Sequence, residues 1–288
     1  MNRKFRIAVL LLAAALAAAA CQKKSQVKGV ELTVSFAESA LTDNLITDVT
    51  YRWKTGKNFK RLDRDLTVFV HFWHDSNLIV QDDFLPDIPT TKWEPNTEYA
   101  FKRRLFIPKF IDEFDPQFKG DETLRLSAGF SNPFDRTGHA EREVLSKKLK
   151  ILPPPLGTPE VIYESGWYDQ EVNQDSPLKQ WRWTAREAKC IVDNPKRDAL
   201  LVIKGAPYLS VVKDQKLSFK INDTLVDEFV ANQDFFEKSY AIKKEQLGDK
   251  DEFVLTISVD KPFIPAKVIP NSKDDRELGV QISFIYFR

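Results

Sequence analysis

The sequence predicts an all-β protein made of two tandem antiparallel β-sandwiches, the second jelly-roll-like, behind an N-terminal leader. Three observations predict it. Apolar and polar residues alternate with period two through most of the chain after residue 27. A run of prolines, Pro153, Pro154 and Pro155, followed by Gly157 and Pro159, divides that pattern near its middle. No long 3.6-residue period appears after the leader, so helices should be few and short, with residues 233–247 the best place for one.

The first 21 residues have the layout of an export signal. Arg3, Lys4 and Arg6 form a basic start, an alanine-rich apolar run follows, and Ala18, Ala19 and Ala20 stand directly before Cys21. The run breaks at once into Gln22, Lys23 and Lys24, too early for a membrane-spanning helix of ~20 apolar residues. A cysteine after small residues resembles the lipobox of bacterial lipoproteins, although Ala18 stands where leucine is usual. The resemblance implies lipid on Cys21, in the manner of palmitate, removal of the leader, and a chain held at the cell envelope, on the outer membrane or cell surface.

In the span 27–152, Leu32, Val34 and Phe36 alternate with polar residues, and so do Leu45, Thr47, Val49, Tyr51 and Trp53. Residues 66–73 are apolar on both faces, which predicts a central strand turning at Asp75, Ser76 and Asn77 into its neighbour. After a proline-marked loop at 86–95, further strands are expected at 99–107, 124–130 and 144–152. Beyond the linker at 153–159, the span 160–288 predicts strands at 200–203, 217–221 and 253–259. Val280, Ile282, Phe284 and Tyr286 are expected on one face of a last strand.

Composition narrows the function. Losing Arg3, Lys4 and Arg6 turns a formal net charge of +1 into about −2, without a basic cluster, so nucleic acid is not an expected partner. Of the two cysteines, Cys21 is assigned to lipid, which leaves Cys190, in an apolar stretch, to behave as a small buried hydrophobe. The three histidines do not make a zinc site. His71 and His74 stand three apart on a strand and point to opposite faces, and His139 is remote in sequence. There is no Gly-x-Ser-x-Gly elbow, phosphate-binding glycine loop or His-Glu-x-x-His. No cofactor and no enzymatic activity are expected. A carboxylate pair for glycoside hydrolysis stays open, because its separation exists only in three dimensions.

Two constellations remain. The first runs Val68-Phe69-Val70-His71-Phe72, Gln81-Asp82-Asp83, the segment from Pro89 through Trp93 to Asn96, Leu105-Phe106-Ile107-Pro108, and Leu126 to Phe130. It resembles a β-sandwich module of bacterial exported proteins and of the soluble ends of membrane glycosyltransferases. Asn77 and Asn96 stand where that module has loop glycines, and asparagine tolerates the same left-handed backbone. Trp93, between prolines, reads as a corner plug.

The second constellation runs Gly166-Trp167-Tyr168-Asp169-Gln170-Glu171, then Trp181-Arg182-Trp183-Thr184, then Phe263-Ile264-Pro265, and finally Asp274-Asp275-Arg276-Glu277-Leu278-Gly279. It resembles a galactose-binding-like jelly roll found with envelope polysaccharide synthesis, which implies a carbohydrate-associated binding role. Trp167, Trp181, Arg182, Trp183, Asp274 and Arg276 are the candidate ligand contacts. Trp181 and Trp183, two apart, share one face of a strand, with Arg182 and Thr184 on the other. Facing outward, the rings form a stacking platform and Arg182 is held inside by Glu171 or Asp274. Facing inward, they are core and Arg182 is free for an acidic group. Arg276 reads as a local ion-pair residue between Asp275 and Glu277. The expected partners are the membrane through the lipid anchor and a polysaccharide. The rival is a structural subunit docked on an envelope or outer-membrane protein complex.

Overall fold

The structure, a computed structural model, describes residues 29–132, 142–174 and 176–288. The leader, Cys21 and His139 therefore lie outside the described residues. The chain divides into two compact units between Leu152 and Pro153.

The first unit is a sandwich of two antiparallel sheets. Strands β1 (Val30–Phe36), β3 (Leu45–Thr55) and β6 (Glu98–Ile107) form the smaller one, in the order β1-β3-β6. The larger one holds β2 (Leu41–Thr42), β4 (Thr67–His74), β5 (Asn77–Gln81), β7 (Glu122–Ser131) and β8 (Arg142–Leu152), in the order β2-β8-β7-β4-β5, with only the short β2 running parallel to its neighbour. Alternation sets the inward faces: Val49, Tyr51 and Trp53 from β3 meet Val68, Val70 and Phe72 from β4 in one continuous core. The β4 strand is buried on both faces, as its uninterrupted apolar run predicts. Asn96 adopts the left-handed backbone expected of it, φ 55°. In the β4–β5 turn that conformation falls on Asp75, φ 52°, rather than on Asn77.

In the second unit one strand joins the two halves of a single eight-stranded sheet. Strand β10 (Ser176–Asp193) runs eighteen residues beside β9 (Val161–Asn173). Its later half pairs with β15 (Glu252–Val259), which continues through β12 (Gln215–Ile221) to β13 (Thr224–Ala231). Its earlier half pairs at Arg182 and Trp183 with β16 (Gln281–Phe287), which continues through β11 (Ala199–Ala206) to β14 (Phe236–Ile242). The passage from one half of the sheet to the other falls where the β9–β10 register slips, between Thr184 and Lys189. Gly166 lies opposite that slip with φ 73°, and a Cβ there would run into the Glu187 carbonyl oxygen, so only glycine fits.

One expectation is met in part and another needs correction. Residues 233–247 do hold a short helix, the single turn α1 (Lys244–Leu247), but strand β14 fills the part before it, because Phe236 and Ile242 bury themselves at even spacing on one face of a sheet. A second single turn, α2, spans Pro265–Val268. On β16 the four apolar residues do not share a face. Ser283 bulges out of the ladder with β11, and the core takes Val280, Ile282, Ile285 and Phe287 instead.

Candidate functional site

The antiparallel register places Glu171 opposite Trp181, Gln170 opposite Arg182 and Trp167 opposite Thr184, so the predicted residues separate onto two faces of the β9–β10 ribbon.

On one face lie Trp181 and Trp183. Trp183 is 5% exposed, closed off by Val212, Phe263 and Leu278 in a small cluster of its own, apart from the main core. Its ring meets Phe263 edge-on at 5.8 Å and Tyr208 at 6.0 Å, and those two rings stack on each other at 5.6 Å. Loops thus cover the sheet over Trp183, which removes this ring from direct ligand contact. Trp181 and Tyr168 lie half-buried at the margin of the same cluster. The Trp181 indole N–H is buried and finds no hydrogen-bond partner among the described residues. The Tyr168 hydroxyl donates to the carbonyl of Glu277 at 3.0 Å, which ties the ring to the last loop.

Over this margin sits Arg276. Its Nε donates to Asp274 Oδ1 at 2.9 Å, and one Nη donates to Asp274 Oδ2 at 2.6 Å and to Glu171 Oε1 at 3.0 Å. The guanidinium carbon lies 5.1 Å from the centre of the Tyr168 ring. Hydrogen bonds from Arg276 hold the Asp274 carboxyl below the usual aspartate range, and the same bond raises the pKa of Arg276. The expected pairing of Arg276 with Asp275 and Glu277 is thus replaced by one local and one cross-strand carboxylate. All three side chains are about one third exposed: 34% for Arg276, 33% for Glu171 and 29% for Asp274. The result is a fixed fan of donors and acceptors beside two half-exposed rings.

On the other face lie Trp167 and Arg182. The Trp167 indole donates to the Lys189 carbonyl at 2.8 Å and meets Tyr163 edge-on at 4.8 Å. Arg182 stands over the Tyr163 ring, 5.0 Å from its centre, and donates to the Tyr168 carbonyl at 3.3 Å. Neither Glu171 nor Asp274 holds Arg182, since Arg276 has taken both. Beneath this group Cys190 is fully buried, and burial pushes its thiol up to about 12.

Four of the six predicted residues, Trp181, Trp183, Asp274 and Arg276, therefore come together, and Trp167 and Arg182 do not join them. Sequence reasoning missed Tyr163 and Tyr208. Tyr163 carries a weak signal in its place on the same strand as Trp167, whereas Tyr208 comes from a loop 25 residues past Trp183 and carries none. In the first unit His71 reaches Asp83 at 3.2 Å and His74 reaches Glu122 at 3.1 Å. Among the described residues no group of three His, Cys, Asp or Glu is placed to hold a metal ion.

No protein-family model matches the chain, and no curated protein matches it. Solved structures do match. TmCBM61 in complex with β-1,4-galactotriose is 12% identical, covering 45% of this chain and 87% of its own, with a TM-score of 0.26. A structure of carbohydrate-binding modules from the β-sandwich superfamily is 7% identical, covering 92% of this chain and all of its own, at 0.24. The secreted serine protease VesC from Vibrio cholerae is 10% identical, covering 90% of this chain and 51% of its own, at 0.24. At such scores the likenesses carry no argument, and the β-sandwich assignment stands on the sheets themselves.

Proposed function

We propose that the second unit recognises carbohydrate without transforming it, on a chain anchored to the cell envelope through lipid on Cys21. The observation that carries this reading is Arg276 fixed between Asp274 and Glu171 beside Tyr168 and Trp181. Sugar hydroxyls donate to carboxylates and accept from a guanidinium, while the C–H face of a pyranose packs on an aromatic ring. A trio already held in place by its own ion pairs binds such hydroxyls at small ordering cost. The affinity on an open face should be modest, in the range of about micromolar to millimolar.

A glycan array and affinity gels with the mature chain test this. Binding to at least one envelope polysaccharide is expected, lost in Arg276→Gln and in Trp181→Ala with the unfolding midpoint of Arg276→Gln unchanged. The anchor is tested by Cys21→Ala, which should move the protein from the detergent-requiring to the soluble fraction.

The rival reading, a structural subunit of an envelope complex, draws on the edge strand. Among the described residues β9 pairs only with β10, and Ile162 and Val172 on it are 49% and 45% exposed, an open edge of the kind that accepts another strand. Reproducible crosslinking to one membrane protein, with every glycan refused, would decide for it.

A further inference from the structure

A second feature of this unit lies away from Arg276, on the outward face of the sheet that β15 shares with β10. A cleft of about 590 Å³ opens there, within the size range of small-molecule sites. Its floor is Ile191, Val254 and Thr256, flanked by Glu164 and Lys189, and its walls are the Asn222–Asp223 turn and the loop from Leu247 to Lys250.

The walls are held rigidly by the protein itself. The buried Asn194 side-chain amide donates to the carbonyls of Gly248 and Lys250, both at 2.8 Å, and the Asn222 amide donates to that of Leu247 at 2.9 Å. Asn222 Oδ1 in turn accepts from Val254 N–H at 3.0 Å, which joins wall to floor. Asn222, Asp223 and Gly248 all take positive φ, so the two walls are sharp turns fixed by side chains. This is a preformed cavity, and a ligand entering it need not order the loops.

The floor adds one polar group to an apolar strip. Alternation along β15 turns Phe253, Leu255 and Ile257 into the core and Val254 and Thr256 outward. Thr256 is only 8% exposed and lines the cleft, so the surface it keeps opens into it. A hydroxyl that lines a cleft can exchange water for the hydroxyl of a ligand when the cleft fills. Around it Glu164, Asp223 and Asp249 offer acceptors and Lys189 and Lys250 offer donors, so the cleft is nearly balanced in charge. Ile191 and Val254 provide an apolar strip. No aromatic ring lines the cleft, and a planar base or an aromatic side chain would find nothing to stack on.

We infer that this cleft is a second subsite for a short, uncharged oligosaccharide, whose hydroxyls meet Thr256 and the charged walls while its C–H groups lie over Ile191 and Val254. The inference rests on the proposed recognition of carbohydrate but uses different residues. Two weak sites on one unit would bind one polysaccharide chain more tightly than either alone.

Methyl-labelled chain from Gln22 onward should be titrated with β-1,4-galactotriose, cellotriose and maltotriose and followed by NMR. At least one sugar is expected to shift the methyls of Ile191, Val254 and Thr256, and Thr256→Val and Asp249→Ala should each weaken that binding several-fold. Thr256→Val keeps the shape of the floor and removes the hydroxyl alone. The shifts should persist in Arg276→Gln. Silence of these methyls with all three sugars at about 10 mM, beyond the weak end of open-face affinities, overturns the inference, as do shifts indifferent to both substitutions. Cleft methyls silent while Arg276→Gln still abolishes polysaccharide binding would leave the Arg276 face standing alone. Cleft shifts with Arg276→Gln neutral in every assay would leave only the cleft.

Discussion

Both units place an arginine against carboxylate and aromatic groups, and the two arrangements differ in one respect. In the first unit Arg103 donates to Asp82 at 2.8 Å, Asp82 also accepts from the Tyr51 hydroxyl at 2.8 Å, and the guanidinium covers the Phe84 ring. Asp82 is 8% exposed and Tyr51 is fully buried, with burial first and Asp82 second raising the Tyr51 pKa. In the second unit Arg276, Asp274 and Glu171 each keep about a third of their surface in solvent. In the first cluster Arg103 keeps 37% of its surface in solvent while its carboxylate is closed off by packing. In the second the carboxylates stay open along with the arginine. The tryptophans follow the same division: Trp53 and Trp93 are fully buried, whereas Trp167 and Trp181 stop at margins.

The largest expected effect comes from breaking the closed side. Trp53 lies 4.6 Å from Phe130 and 5.8 Å from Trp93, which itself stacks on Tyr99 at 4.6 Å. Removing such a ring leaves a cavity that close-packed neighbours cannot fill, and Trp53→Ala should cost about 4 kcal/mol. Denaturant unfolding of the mature chain measures it. A cost no larger than that of Trp181→Ala would erase the distinction between closed and open aromatic clusters.

A sharper version tests two rings on a single face. Trp183→Ala should cost about 3 kcal/mol, because the ring is enclosed by Phe263, Tyr208 and Leu278. Trp181→Ala, two residues away, should cost about 1 kcal/mol, since its ring is only half-buried and its N–H is unpaired. Equal losses in the two variants would mean that Trp181 is as much a part of the packing as Trp183, and that no ring is left for a sugar to stack on.

How much of this was legible in the sequence depends on whether the deciding contact is local. Period-two alternation marks β1, β3 and β6 because each residue's face is set by its immediate neighbours, and an uninterrupted apolar run marks β4. The same rule put Trp181 and Trp183 on one face. It failed on β16, where the bulge at Ser283 reverses the phase, since a bulge is a property of the paired strand β11 as well as of β16. At residues 233–247 it served in part: a short helix does fall there, but the stretch before it lies against β11 as an edge strand. The partners of Arg276 illustrate the limit best. Asp275 and Glu277 are its chain neighbours, but neighbouring side chains diverge, and the guanidinium folds back to Asp274 and across 105 residues to Glu171. Nor could alternation foresee that loops carrying Tyr208 and Phe263 would cover Trp183 while leaving Trp181 at the rim.

The smallest expected effect, and the most specific, concerns the charge on Asp274. Two hydrogen bonds from the Arg276 side chain and one from the Arg276 backbone N–H at 3.1 Å favour its ionised form, so its folded pKa lies below the ordinary 3.8. A depressed carboxyl contributes stability that is fully present above the unfolded value and is lost as pH falls through the lower folded value. The window is therefore acidic, below about pH 4, and stability near neutrality should not depend on pH through this group. Because the trio is partly exposed and screened by salt, the change in unfolding free energy should be slight, and the titration itself is the better measurement. Carboxyl carbon shifts of Asp274 should report a midpoint below 3.8 in the parent chain and a return toward 3.8 in Arg276→Gln. A bound sugar that replaces water around the trio should lower the midpoint further by donating hydroxyl hydrogen bonds to the same oxygens. A parent midpoint at or above 3.8 would mean that Arg276 is not held between its two carboxylates in solution, and the fixed fan of donors and acceptors would have to be abandoned as the recognition element.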